Sequence, residues 1–258
     1  MKVLVAGNGF IGRHLVDKLR ENHAVKTLDR SNGTYEQDIT DEFDIDDEFD
    51  VVFHTIGLAP GLYRKKKYRK VHVKGTRNLL EAVNTDKFVY ISALGVGEID
   101  HSYFKTKKEA EELVKEHCDN YTILRPSTVF GKGNKILGLI EKASTTRIFP
   151  GFSMEMQPIH VDDLVEILAR SIDEFDRETL HLAGPEDMSL KELADKIYLS
   201  RGRKCITMPF AEDITKLGLR ISPLPGFLSS ENLELFSRKN LISHNDAEDI
   251  IGDLKSIR

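Results

Sequence analysis

The chain has 258 residues, 40% of them hydrophobic and 31% charged, enough for a full core in one large domain or a domain with a small appended lobe. This composition fits a folded protein rather than a disordered one, no apolar run approaches the ~20 residues of a spanning helix, and a formal charge of −5 argues against bulk attraction to nucleic acid. Two cysteines, Cys118 and Cys205, exclude a disulfide framework and a Cys-rich zinc site, and a first strand starting at Lys2 leaves no room for a signal peptide, so a cytoplasmic location is expected.

Five β-rich runs are predicted in the first half: Lys2 to Ala6, Ala24 to Leu28, Asp50 to Thr55, Phe88 to Ser92 and Tyr121 to Leu124. Most are continuous apolar runs, as expected where both faces of a parallel sheet are covered. Helical stripes lie between them. Ile11, Leu15, Val16 and Leu19 mark the first. Tyr68, Val71, His72, Leu79, Leu80 and Val83 mark the second; Ala110, Leu113, Val114 and His117 mark the third. Their three- and four-residue spacing is that of amphipathic helices.

Strands alternating with helices predict an α/β fold with a doubly wound parallel sheet. After Gly131 the rhythm loosens. Leu164, Val165, Leu168, Ala169 and Ile172 predict a helix after Asp162 or Asp163, followed by a strand from Thr179 to Ala183. Ser189 and Glu192 form a capping box. The tail, with Pro209, Pro223 and Pro225, is expected to form a small lobe over the carboxyl edge of the sheet. The expected division is a dinucleotide-binding unit over 1–150, and a mixed segment over 151–258 that completes the sheet and covers a substrate.

Two charge runs stand out. Glu36 to Asp50 holds nine acidic residues and no basic one, and Arg64 to Lys70 holds six basic residues in seven. Each is expected to be a solvated face. A phosphate or RNA contact is the functional alternative for the basic run, and nucleic acid is not an expected partner.

Residues Gly7-Asn8-Gly9-Phe10-Ile11-Gly12 spell GxGxxG between the first strand and the first helix. In that context the first glycine allows a tight turn, the second lets backbone approach a pyrophosphate, and the third lets helix and strand pack closely. Free N–H groups and the helix dipole favour the anion. Arg13 and His14 stand where an ATP-type loop needs Lys and Ser or Thr. Asp29, at the end of the second strand, is suited to the ribose hydroxyls of NAD. The adjacent Arg30 is suited to the 2′-phosphate of NADP. NAD is the favoured cofactor and NADP stays open.

Tyr103 and Lys107 are spaced i, i+4 at the start of a helix, on one face. A tyrosine acting as a base near neutral pH needs its pKa lowered by ~3 units. A neighbouring ammonium and an oxidised nicotinamide have the right sign to do this. Ser92 is the available hydroxyl to polarise a substrate oxygen. His160, within IHVDDL, is expected in a structural turn, and no His, Asp or Glu grouping has convincing metal spacing.

Together these residues resemble the extended and atypical branches of the short-chain dehydrogenase/reductase superfamily, with the Rossmann fold. GNGFIG, Asp38-Ile39-Thr40-Asp41, VVFHTIG, VKGTRNLLEAV, YISALGV, YFKTK, LRPSTVFG, IHVDDLV and LHLAGPE occur in family order. The short interval from SALGV to YFKTK, and the tail around Glu231-Asn232-Leu233, look most like the branch of the 39 kDa-type accessory subunit of respiratory complex I. The resemblance implies that Asp38 and Ile39 flank the adenine, and that Ile56 and Gly57 line the cofactor's path. It implies Tyr103 and Lys107 as the catalytic pair, with Lys107 also binding the nicotinamide ribose, and Pro126 and Ser127 near the nicotinamide. Against the sugar epimerases of the extended branch, the catalytic Ser/Thr aligns with Ala93 rather than Ser92. Thr128 and Met156 replace an Asn and an Arg that hold nucleotide sugars there.

Two functions follow. The first is a dehydrogenase or epimerase/dehydratase acting on a small alcohol, ketone or sugar-like substrate. The second is a non-catalytic dinucleotide-binding scaffold or redox sensor, like the complex I accessory subunits. No membrane partner is expected, and the oligomeric state is left open.

Overall fold

The computed structural model describes residues 1–134, 148–151, 154–200, 202–204, 206–209, 231, 235 and 239–257. In chain order, the first half contains β1 (Lys2–Ala6), α1 (Phe10–Leu19), β2 (Ala24–Asp29), β3 (Tyr35–Glu36) and β4 (Glu48–His54). A bent helical stretch follows: α2 (Lys65–Tyr68), a π-helical turn (Arg69–Lys74) and α3 (Gly75–Ala82). Then come β5 (Asn84–Ile91), α4 (Ser102–His117), β6 (Tyr121–Pro126) and β7 (Val129–Phe130). The later part holds β8 (Ile148–Gly151), β9 (Glu155–Met156), β10 (Ile159–His160), α5 (Val161–Arg170) and β11 (Glu178–Leu182). It continues through β12 (Met188–Ser189), α6 (Leu190–Ser200), β13 (Ile206–Pro209), β14 (Lys239–Asn240) and α7 (Asp246–Ile251).

Seven strands form one sheet in the order β11-β6-β5-β4-β1-β2-β3, and every pairing in it is parallel. The chain runs outward one way from β1 through β2 to β3, and the other way from β4 to β11. The reversal lies between β1 and β4, where doubly wound sheets bind ligands beyond the strands' carboxyl ends.

Side-chain alternation builds two cores. Val3, Val5, Val51, Phe53, Val89 and Leu124 face one way, packing with Leu15 and Leu19 of α1 and with Leu164 and Leu168 of α5. Leu4, Ala6, Val52, Phe88, Tyr90 and Ile123 face the other, against Leu79 of α3 and Ala110 and Val114 of α4. Because both faces are covered, the strands read as unbroken apolar runs.

The predicted strands and helices of the first half are present, with ends shifted by a few residues. β3 was not expected, since two residues carry no periodicity. The π-helical turn was not expected either. Tyr68 just before it and His72 within it both point inward, with ring centroids 5.6 Å apart. Beyond residue 150, β11 extends the main sheet beside β6 in register Glu178 with Thr122 through Leu182 with Pro126. Cys205, Pro223 and Pro225 fall outside the described residues. The tail does return to the sheet edge at two described points. Glu231 Oε2 accepts from Ser102 Oγ at 3.1 Å, and Leu235 packs in the cluster that holds Tyr103. Among the described residues, no helix is long and apolar enough to cross a membrane.

Candidate active site

The glycine loop is shaped by close approaches. Gly7 has φ +108°, and a Cβ there would lie 2.7 Å from Thr55 Oγ1; an L side chain would be strained there on both counts. A Cβ on Gly12 would lie 1.7 Å from the Gly7 carbonyl oxygen, so helix and strand pack this closely only with glycine. Gly9 is different: a Cβ there meets nothing within 4 Å. The helix behind it starts with no side-chain cap. Open space in front of an uncapped helix N-terminus is a cradle suited to a diphosphate. Thr55, whose hydroxyl lies 3.0 and 2.9 Å from the Ala6 and Gly7 carbonyl oxygens, fixes the turn from β4. Sequence reasoning passed over it, although it stands within VVFHTIG.

Asp29 sits at the end of β2 and accepts from the Asn8 N–H at 2.7 Å, so its carboxylate borders the loop. Arg30 beside it is exposed. Asp38 accepts from the Thr40 N–H at 2.9 Å. That hydrogen bond, with Thr40's side chain and the charges of Arg30 and Lys70, holds its carboxyl below the ordinary range. Ile39 is buried, and its side chain fills the space over Gly75. Only its backbone lies along the loop, where the Ile39 carbonyl accepts from Asn78 Nδ2 at 2.8 Å. Asn78, unremarked in the sequence, also donates to the Asp41 carbonyl at 2.8 Å, clamping this loop to α3.

Lys107 crosses from α4 to the end of β4. Its Nζ donates to the Ile91 carbonyl at 2.7 Å and would lie 3.4 Å from a Cβ built on Gly57. The side chain is 3% exposed, and burial pulls its pKa down to about 7, against an opposing pull from Glu111. Ile56 packs partly buried between the loop and the second core, while Gly57 is exposed. Tyr103, one turn before Lys107, is held by its N–H to His101 Nδ1 at 3.0 Å. Its ring meets Phe104, His72 and Tyr68 edge-on at centroid distances of 4.9, 5.3 and 5.6 Å. Burial, then the neighbouring Tyr68, raise its pKa above the ordinary phenol value; as it stands here the hydroxyl keeps its proton.

Two buried histidines behind this pair were read in the sequence as strand and stripe residues. His72 Nε2 accepts from the Leu58 N–H at 3.2 Å, which leaves Nδ1–H to donate to Thr106 Oγ1 at 3.0 Å. Burial first, then the Lys107 charge, lower its pKa to about 2. His54 lies 2.9 Å from Thr76 Oγ1 through Nε2, and burial with Lys107 takes it down to about 3. Both are therefore neutral, so the wall behind Lys107 is polar but uncharged.

Ser92 departs from the role expected of it. Its hydroxyl donates to Glu111 Oε1 at 2.5 Å, and Glu111 is gripped by Arg125 Nε at 2.9 Å and Nη2 at 2.6 Å. Arg125 Nη1 in turn lies 3.2 Å from His181 Nε2. The next residue, Ala93, belongs to the cluster of Tyr103, Tyr68 and Leu235. Successive residues on extended chain face opposite ways, so Ala93 faces Tyr103 and Ser92 serves a buried ion-pair network. Near the end of β6, Pro126 is buried, and its carbonyl accepts from the Leu94 N–H at 2.9 Å. Ser127 follows; its N–H donates to the Leu182 carbonyl at 2.7 Å, while its buried Oγ has no partner. An orphaned hydroxyl on this edge is a group suited to receive a ligand atom.

His160 caps α5, its Nδ1 accepting from the Asp162 N–H at 3.2 Å, in the turn expected of it. Met156 is buried. Among the described residues one group, His244, Asp246 and Asp249, brings three potential ligand atoms within 4.8 Å. It lies at the start of α7, and Asp246 already accepts from the His181 N–H at 2.6 Å.

The Asp29 carboxylate at the end of β2, the glycine cradle after β1, Lys107 at the Gly57 turn after β4 and the orphaned Ser127 hydroxyl after β6 line the carboxyl edge of the sheet from β2 across to β6. That donor set fits a dinucleotide: amides for phosphate, a carboxylate for ribose, an ammonium and a hydroxyl further along.

Comparison with known proteins agrees. The model of a family described as "NAD dependent epimerase/dehydratase family" matches residues 3–182. The chain is 24% identical over 150 residues to the NADH-ubiquinone oxidoreductase 40 kDa subunit of Neurospora crassa, covering 55% of this chain and 40% of that one. It thus spans well under half the length of that mitochondrial relative. It is 22% identical over 255 residues to the N-acetyl-α-D-glucosaminyl-diphospho-ditrans,octacis-undecaprenol 4-epimerase of Escherichia coli O157:H7, covering 84% of this chain and 77% of that one. The solved structure of UDP-glucuronic acid 4-epimerase from Bacillus cereus, in complex with UDP-glucuronic acid and NAD, superposes with a TM-score of 0.74 at 18% identity, covering 100% of this chain and 95% of that one.

Proposed function

The chain belongs to the NAD dependent epimerase/dehydratase family, and from that premise we propose that it is an oxidoreductase interconverting an alcohol and a carbonyl on a small or sugar-like substrate. When bound, the nicotinamide supplies or accepts the hydride. The chain's own residues bind, orient and move the proton. The Gly7–Gly12 turn presents its amides to the diphosphate, with Asp29 toward the adenosine ribose and Asp38 and the Ile39 backbone toward the adenine. Arg30 is available to a 2′-phosphate, so NADP competes with NAD for the same end of the site. Ile56 and Gly57 border the path, and Pro126 and Ser127 border the nicotinamide.

Lys107 gives one N–H to Ile91 and has two left for the nicotinamide ribose. Hydroxyl acceptors there would raise its pKa back and fix it as ammonium. Tyr103, protonated in its aromatic pocket, donates its proton to a carbonyl being reduced; the ammonium, one turn away, stabilises the phenolate left behind. The observation that carries the proposal is a buried lysine held against the Gly57 turn, beside the sheet's reversal point. A test is turnover of NAD and NADP, oxidised and reduced, with a panel of alcohols, ketones and sugars. The Tyr103→Phe variant is expected to lose turnover yet keep cofactor binding, and an active Tyr103→Phe protein would refute the assignment.

A second reading has one specific observation in its favour. Ser92 is committed to Glu111, and Ala93 stands on the Tyr103 side, so neither of these two positions offers a hydroxyl to polarise a substrate oxygen. A dinucleotide-binding scaffold or redox sensor needs no such group. It predicts cofactor-dependent stabilisation with no product across the whole panel.

A further inference from the structure

The basic run does more than face water. Lys66, Arg69, Lys70, Lys74 and Arg77, with Val73, line a groove of about 370 Å³ along α2, the π-helical turn and α3. Arg69 is paired with Glu109 at 2.6 Å. Among the described residues, no carboxylate forms an ion pair with the other four. Lys70 also acts on Asp38 through space, yet in a chain of net charge −5 this gathers cationic side chains on one strip of surface.

Next to the strip, the chain turns at Leu62 and Tyr63, two of the five large apolar side chains exposed among the described residues, at 42% and 38%. The tip touches the helix that opens the strip: Lys67, next in the chain to the groove-lining Lys66 but not itself in the groove lining, has its Nζ 4.3 Å from the centre of the Tyr63 ring. The tip is braced from beneath: Tyr68 Oη accepts from the Tyr63 N–H at 3.2 Å and donates to the Ala59 carbonyl at 3.0 Å. Leu62 is thus held outward on a fixed turn.

We propose that the Leu62–Tyr63 tip and the adjoining cationic groove form a docking surface for an anionic lipid bilayer. Charge complementarity brings the strip to the headgroups. An exposed aliphatic side chain beside an aromatic one then has an apolar layer to enter, with tyrosine at the headgroup level. A nucleic acid would satisfy the cations and could stack on Tyr63, but it offers nothing to Leu62. Surface adsorption of this kind needs no spanning helix.

The test is co-sedimentation of the full chain with vesicles of phosphatidylcholine alone, and with vesicles containing about one-third phosphatidylglycerol, at low and high salt. The protein is expected to pellet with the anionic vesicles only, and less at high salt. Lys66→Glu/Lys70→Glu/Lys74→Glu should weaken partitioning on the order of a hundredfold, and Leu62→Ser/Tyr63→Ser roughly tenfold. All five positions lie on the surface, and unchanged thermal unfolding of both variants would show the fold intact. Failure to pellet with anionic vesicles, equal pelleting with neutral ones, or undiminished binding by the Leu62/Tyr63 variant would overturn the proposal. Displacement from the vesicles by a single-stranded RNA oligomer that the Leu62/Tyr63 variant binds as well as the parent would reassign the strip to nucleic acid.

Discussion

Replacing Lys107 by methionine should change how stability depends on pH. The ammonium is buried, and its pKa falls from 10.5 to about 7. Between those values the unfolded chain binds the proton and the folded chain releases it. Stability therefore rises with pH across that window, and the lysine's contribution is least favourable at and below pH 7. The shift corresponds to a cost of about 4 kcal/mol at pH 7 that shrinks to about 2 kcal/mol at pH 9. Lys107→Met removes that dependence. It also leaves the Ile91 carbonyl without its donor, a loss of ~1–3 kcal/mol that does not vary with pH. Urea unfolding of parent and variant, without nucleotide, at several pH values from 7 to 9 reads the difference directly. The parent should gain about 2 kcal/mol more than the variant over that range. Parallel stability curves would mean that Lys107 is fully charged in the folded protein, and the account of a near-neutral lysine awaiting its ligand would fail.

Glu111→Ala should destabilise by about 3–5 kcal/mol, because it strands the Arg125 charge among buried groups, whereas Ser92→Ala should cost about 1 kcal/mol and leave turnover within a few-fold; a Ser92→Ala protein with no activity would restore a catalytic role to that hydroxyl. Gly12→Ala should fail to fold stably, given the 1.7 Å approach to the Gly7 carbonyl, while Gly9→Val should unfold like the parent and bind dinucleotide weakly, as checked by thermal unfolding with and without NAD. On the acid side, His54 and His72 have folded pKa values of about 3 and about 2 against 6.5, so the unfolded chain binds more protons below pH 6.5. Each should lower stability by up to about 1.4 kcal/mol per pH unit below that point. A His72→Gln variant should show a shallower fall in acid unfolding titrations, and an unchanged one would place the sensitivity elsewhere.

Much of the frame was legible because the physics is local. Apolar runs such as Val3 to Ala6 and Val51 to Phe53 are buried on both faces, and the glycine turn announces itself by spacing. Asp29 could be placed at the loop because it ends the strand beside it. What could not be read depends on how distant segments meet. His72 looks like one more member of a helical stripe until Leu58 and Thr106 are brought to its two nitrogens. Asn78 gives no signal before the Asp38–Asp41 loop folds onto α3. The offset between Ser92 and Ala93 was legible from the resemblance, but the Glu111–Arg125 pair that engages Ser92 was not. The basic run was legible as charge, but its neighbourhood with the exposed Leu62 and Tyr63 required the turn that Tyr68 braces.

The most direct measurement of the central claim is calorimetric titration of the whole chain with NAD and NADP, oxidised and reduced, beside the Gly9→Val variant. Saturable heat with at least one of the four, greatly weakened by the valine, is the expected result. No heat from any of them, or equal affinity in the variant, would mean that the amino-terminal cradle does not hold a dinucleotide.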